Sequence, residues 1–151
     1  MRLQSAIISV EDALLDCSDP AHVAVREGAE EVLSILKMEG VWMFAVTSLP
    51  RAAAQEALRS TGTEALFRGL LSDREQPGLS AGGTIFEKAV RRMQSEKRDT
   101  VVFTGRLDLL VRAREAGLRT VAVAGAAGED EWREMCALAT ERADRWADFL
   151  A

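Results

Sequence analysis

The chain has one histidine, His22, and two cysteines, Cys17 and Cys136, in 151 residues. A lone histidine in a polar loop segment reads as a surface residue rather than a general base. The cysteines lie far apart and in no metal-ligand spacing. They read as reduced thiols and exclude a disulfide framework. No apolar run approaches the roughly 20 residues that a bilayer-spanning helix needs. The opening MRLQSAIISVED meets acids too soon for a signal peptide, so the expected location is cytoplasmic. Basic residues are outnumbered by acidic ones, 19 to 24. The net charge is −5, with no basic run and no interleaved aromatic platform, which excludes general attraction to nucleic acid or to an anionic membrane. No glycine-rich loop follows the first apolar run, against a nucleotide-binding domain of another doubly wound type. The GAAG at 125–128 follows a late strand and reads as a turn.

What is present is ordinary globular material, 48% hydrophobic and 28% charged, without repeats or low-complexity tracts. It is expected to form one domain over 1–151. SAIISV (5–10) reads as a strand. A helix is expected over 25–39, burying Val32, Leu33, Ile35 and Leu36 and ending at Gly40. VWMFAVT (41–47) reads as a strand covered on both faces. A helix follows, with Ser48 as cap, Pro50 in its first turn and Gly62 at its end. A short strand is expected within 66–72, then the loop SDREQPGLSAGG.

The next helix, over 84–94, places Ile85, Phe86, Ala89, Val90 and Met93 on one face. TVVFTG (100–105) and RTVAVAG (119–125) read as strands, with a helix between them closed by Gly117. EDEWREMCALATERA reads as a helix with Trp132, Met135, Cys136 and Ala139 inward, and RWADFL as a last short strand. This alternation implies an α/β fold: a three-layer, Rossmann-like parallel sheet of five to six strands with helices on both faces. Ligands of such sheets sit beyond the carboxyl ends of the strands, which directs attention to the loops after Val10, Thr47, Ser72 and Thr104.

Over nearly its whole length the order of elements resembles the haloacid dehalogenase (HAD)-like hydrolase superfamily, in its phosphoglucomutase- and phosphatase-like branch. GAEEVLSILKMEGVWMFAVTSLPRAAAQEALRSTGTEALF is similar to the segment around that family's second motif. VVFTGRLDLLVRAREAGLRTVAVAG is similar to the segment around its fourth. The first motif, Asp-x-Asp-Gly-Thr-Leu, lies on SVEDALLD. The nucleophilic aspartate then falls on Ser9 and the acid/base aspartate on Glu11, with Leu14 and Asp16 matching. A register shifted by one puts Val10 and Asp12 there instead. Neither register offers an aspartate at the attacking position, where it would form an aspartyl-phosphate and hold Mg²⁺.

The second motif survives as Thr47, with Ser48 beside it, and reads either as a phosphate-binding hydroxyl or as a capping device. The third motif's Lys-Pro becomes Gln76-Pro77, and Lys88 reads as a solvated helix residue. The fourth, Gly-Asp-Ser-x-x-Asp, becomes Gly105-Arg106-Leu107-Asp108-Leu109-Leu110. Arg106 thus stands where an acid would hold the metal, and Asp108 reads as a helix N-terminal residue that complements the dipole. Each lost electrostatic group of this kind costs roughly 10²–10³ in rate.

The resemblance thus implies a pseudoenzyme: a HAD-like domain without an inserted cap domain, inactive or impaired, that acts by binding. Its expected partner is a small anionic, phosphorylated ligand held by Ser9, Thr47, Ser48 and Arg106, or a protein. A protein contact or homo-oligomer would use Trp42, Trp132 or Trp146, although core packing is the preferred reading of Trp42. No cofactor is expected. The alternative is a divergent phosphatase acting on a small phosphomonoester, with Mg²⁺ held by Glu11, Asp12 and Asp108 and with Asp16 nearby. Turn and cap hydrogen bonds are the preferred roles for Asp12 and Asp16.

Overall fold

The computed structural model describes residues 3–19, 21–75 and 84–150. Its core is a six-stranded sheet in which every neighbouring pair runs parallel. The strands are β1 (Ser5–Ser9), β4 (Trp42–Thr47), β5 (Leu70–Ser72), β6 (Thr100–Thr104), β7 (Arg119–Val123) and β8 (Glu141–Ala143), in the order β5-β4-β1-β6-β7-β8. A separate antiparallel ribbon pairs β2 (Leu15–Asp16) with β3 (Ala24–Val25). The helices are α1 (Ala29–Met38), α2 (Arg51–Ser60), α3 (Thr84–Arg92), α4 (Leu107–Glu115) and α5 (Glu129–Leu138).

Side-chain alternation along the strands assigns the layers. Ala6, Ile8, Met43, Ala45, Val101, Phe103, Val121 and Val123 face α1, α2 and the C-terminal turn at 146–150. Ile7, Phe44, Val46 and Val102 face α3 and α4, which contribute Ile85, Phe86, Ala89, Val90, Leu109 and Ala113. A third cluster joins Leu110, Ala122 and Met135, with Trp132 packed against it. From β1 the chain moves outward through β4 to β5, whereas from β6 it moves the other way to β7 and β8. The topological switch therefore lies between β1 and β6, where a crevice opens beyond the strand ends.

Several boundaries differ from the sequence expectations. β1 stops at Ser9, and Val10–Leu14 form one π-helical turn that packs against the central strands β1, β4 and β6. Helix α1 starts at Ala29 rather than 25, because Gly28 takes a left-handed φ of 85° and the residues before it pair in the ribbon. Ile35 is exposed rather than buried. The expected strand in RWADFL is a 3₁₀ turn (Trp146–Leu150), and the sixth strand is Glu141–Ala143, drawn from the end of the expected helix. Ser48 makes no capping bond to α2, whose N-terminal flank is Pro50.

The tryptophans also change places. Trp42 is 50% exposed beneath the Arg68 guanidinium, 4.1 Å from the ring centroid, so it is not a core residue. Trp146 is 2% exposed, stacks on Phe103 at 5.2 Å and donates Nε1–H to the Ala13 carbonyl at 2.8 Å, which makes it a core residue rather than an interface anchor.

Candidate functional site

Three strand ends meet at the switch point. The turn after β1 carries Glu11 and Asp12, the end of β4 carries Thr47 and Ser48, and the end of β6 carries Thr104, Gly105 and Arg106. The π-helical turn points its two adjacent acids in different directions. Asp12 is turned inward, 2% exposed, and accepts from the Ser9 hydroxyl (2.7 Å), the Gly105 N–H (2.7 Å) and the Thr104 hydroxyl (3.3 Å). Gly105 is required here, since a β-carbon on it would lie 2.7 Å from the Asp12 carbonyl oxygen. Burial raises the Asp12 pKa above the usual carboxylate value. The Gly105 and Ser9 hydrogen bonds oppose that shift without cancelling it.

Glu11 faces the neighbouring strand. Its Oε1 accepts from the Thr47 hydroxyl at 2.7 Å and its Oε2 from the Ser48 N–H at 2.8 Å. The Leu49 N–H donates to Thr47 Oγ1 at 3.0 Å and so aims that hydroxyl's proton at Glu11. Arg106 Nη1 approaches Glu11 Oε2 to 3.8 Å and donates to Ser48 Oγ at 2.8 Å. The other edge of the same guanidinium grips Asp108 through Nε (3.1 Å) and Nη2 (2.6 Å). Burial works against the Arg106 charge, but the bonds and charge of Asp108 outweigh it and hold its pKa up. Asp108 is lowered in turn, its partial burial overcome by Arg106. Ser48 Oγ donates onward to Asp73 at 3.2 Å, and Arg112 Nη1 lies 3.7 Å from that carboxylate.

The structure thus brings together Ser9, Glu11, Asp12, Thr47, Ser48, Arg106 and Asp108. It adds Thr104, Asp73 and Arg112, which sequence reasoning did not single out. The signal for Thr104 and Asp73 was position alone, at or just beyond the carboxyl end of a central strand. Gln76 and Pro77 lie outside the described residues. Lys88 is half-buried. Asp16 stands apart and accepts from Ser18 N–H (3.0 Å) and Oγ–H (2.7 Å), as expected of a turn residue. His22 is exposed. Asp12 is not the turn residue expected. It is a buried tie between β1 and β6, and a carboxylate partner for Ser9 that the sequence did not reveal. Ser9 itself is fully buried.

The donor set does not fit Mg²⁺. Hard divalent cations need carboxylate oxygens free to converge, whereas here each carboxylate is turned onto a protein donor and a guanidinium stands among them. Among the described residues no group of three or more His, Cys, Asp and Glu side chains is placed to hold a metal ion. No helix among them is long and apolar enough to cross a membrane.

A doubly wound sheet with its polar groups gathered at the switch point defines a three-layer, Rossmann-like α/β domain. More specifically, the fold is that of the HAD-like hydrolases. The chain superposes on a HAD-like family hydrolase from Streptococcus pneumoniae with TM-score 0.82 and 12% identity, covering 98% of this chain and 97% of that one. A candidate beta-phosphoglucomutase from Thermotoga maritima gives TM-score 0.83 at 14% identity, over 98% of each chain. CbbY from Rhodobacter sphaeroides, solved in complex with phosphate, gives TM-score 0.83 at 13% identity, over 97% of this chain and 96% of that one. No protein-family model and no curated protein matches the chain.

Proposed function

We propose that this HAD-like domain does not turn over phosphoesters and acts by binding. The observation that carries the reading is the state of the strand ends: among the described residues Glu11, Asp12, Asp73 and Asp108 are each turned onto a protein donor, and Arg106 stands among them with its charge directed at Glu11 and Asp108. A phosphoenzyme mechanism needs an accessible nucleophile and a stabilised developing charge. Ser9 is buried against Asp12, and Asp12 is committed to three donors.

Of the two kinds of binding, a protein partner is favoured over a small anion. The anion-binding candidates Ser9, Thr47, Ser48 and Arg106 are all engaged by the chain's own carboxylates. Exposed apolar groups lie elsewhere: Ile35 and Met38 on α1, Trp42 at the start of β4, and Phe149 near the C-terminus. The test is a colorimetric phosphatase assay with Mg²⁺ over a panel of phosphomonoesters. The expected result is no turnover above that of a Glu11→Ala, Asp12→Ala double variant.

A divergent phosphatase is the second reading. It is supported by the neighbours whose names denote phosphoryl chemistry and by the acids Glu11, Asp12, Asp73 and Asp108 at one pole. Mg²⁺-dependent turnover lost in either single variant would establish it and overturn the first.

A further inference from the structure

The carboxylate of Glu11 is held as a bound anion would be. Its two oxygens are taken separately, one by a hydroxyl and one by a backbone N–H, at 2.7 and 2.8 Å from adjacent residues of one strand end. A cation from another strand approaches the same oxygen to 3.8 Å. These donors are fixed before any ligand arrives. Leu49 N–H orients the Thr47 hydroxyl, and Asp108 pins the far edge of Arg106 so that Nη1 points inward. The side chains of Glu11 and Arg106 are 14% and 31% exposed, so water screens the arrangement only in part. Preset donors of this kind recognise a carboxylate or phosphate oxygen pair by charge-assisted hydrogen bonds.

We propose that Glu11 is a resident ligand: its carboxylate fills an oxyanion cradle built by Thr47, Ser48 and Arg106, and an outside oxyanion enters only where that side chain is withdrawn. This rests on the reading of the strand ends as a binding rather than a catalytic pole, and it goes further by naming what is bound. The domain is closed by its own acid. With Glu11 gone, the Thr47 hydroxyl and the Ser48 N–H would be unpaired beside the Arg106 charge in a partly buried site, which is the condition under which a free anion binds.

The test is titration of the uniformly ¹⁵N-labelled protein with inorganic phosphate at constant pH and ionic strength, following the Ser48 amide. The wild type is expected to show no saturable shift. Glu11→Ala is expected to bind phosphate at least about tenfold more tightly than wild type, and adding Arg106→Ala is expected to abolish that gain. Glu129→Ala, at a side chain 90% exposed, makes the same change in net charge and should bind no better than wild type. Glu11→Gln serves as the second variant. It keeps the side chain's size but presents an amide to Ser48 N–H, so phosphate should raise its melting temperature.

Saturable phosphate binding at Ser48 in the wild type would overturn the proposal. So would two folded Glu11 variants that ignore phosphate, or variants that stay unfolded with phosphate present. Phosphate-dependent refolding of either variant supports it. Turnover by the wild type in the phosphatase assay would defeat the non-catalytic reading without altering the result expected at Ser48, so the two failures remain distinguishable.

Discussion

Asp12 and Asp108 titrate in opposite senses because one is buried among neutral donors and the other is paired with a guanidinium. Burial raises Asp12 above 3.8. Between 3.8 and its raised value the folded chain holds more protons than the unfolded one, so the contribution of Asp12 to stability falls as pH rises through that window. Asp12→Asn keeps an acceptor for Gly105 N–H and carries no charge. Relative to wild type, its stability should therefore improve as pH rises above 3.8 and then level off, as read from urea midpoints across pH. A difference between the two proteins that does not vary with pH would contradict this. Asp108 is lowered from 3.8, so its stabilisation is present above that value and is lost as pH falls through the lowered one. Its side chain is 49% exposed, so Asp108→Asn should cost no more than about 1 kcal/mol at neutral pH and almost nothing in acid.

At the scale of elements, the two tryptophans show how local pattern and tertiary context diverge. Trp42 opens the run WMFAVT, which in sequence looks like a strand buried on both faces. Yet Trp42 is the first residue of β4 and lies at the sheet rim under Arg68. Trp146 sits in the C-terminal segment RWADFL, which in sequence reads as a short strand, but its indole closes the layer beneath β6 and ties down the π-helical turn through Ala13. No periodicity in five residues could announce that contact. Trp42→Ser should therefore cost little, about 0.5–1 kcal/mol for the lost cation–π contact. Trp146→Phe should cost about 1–3 kcal/mol, because the buried Ala13 carbonyl loses its donor while the stacking survives. Equilibrium urea unfolding of both variants gives the ranking, and a larger loss in Trp42→Ser would contradict it. Where a pattern was long and regular the elements were legible: Ile85, Phe86, Ala89, Val90 and Met93 are all buried, as the helical spacing of 84–94 implies. Short segments such as Glu141–Ala143 were not, because that strand forms through pairing with β7 rather than through its own composition.

For the whole molecule, the fold was legible because alternation of apolar runs and amphipathic helices constrains layer and strand direction strongly. The site was legible only as positions. Sequence comparison placed Glu11, Thr47 and Arg106 at neighbouring strand ends, but which acid faces which donor depends on the π-helical turn, a backbone feature that its five residues do not encode by themselves. That geometry leads to a prediction about metal. A cation that binds only the folded state at a hundred times its dissociation constant stabilises by about 2.7 kcal/mol. For a chain of 151 residues, with about 2–4 °C per kcal/mol, that would raise the melting temperature by about 5–11 °C. Wild-type protein should show no such rise with millimolar Mg²⁺ at matched ionic strength, because Arg106 already neutralises Glu11 and Asp108. Arg106→Asp removes that cation and puts a further acid between Glu11 and Asp108. The variant should be less stable than wild type without Mg²⁺ and should recover melting temperature as Mg²⁺ is added. On the proposed non-catalytic reading it should still lack phosphatase activity, since an added metal supplies no carboxylate in place of the buried Ser9. A Mg²⁺-dependent rise in the wild type, or none in Arg106→Asp, would show that the guanidinium does not take the place of a metal.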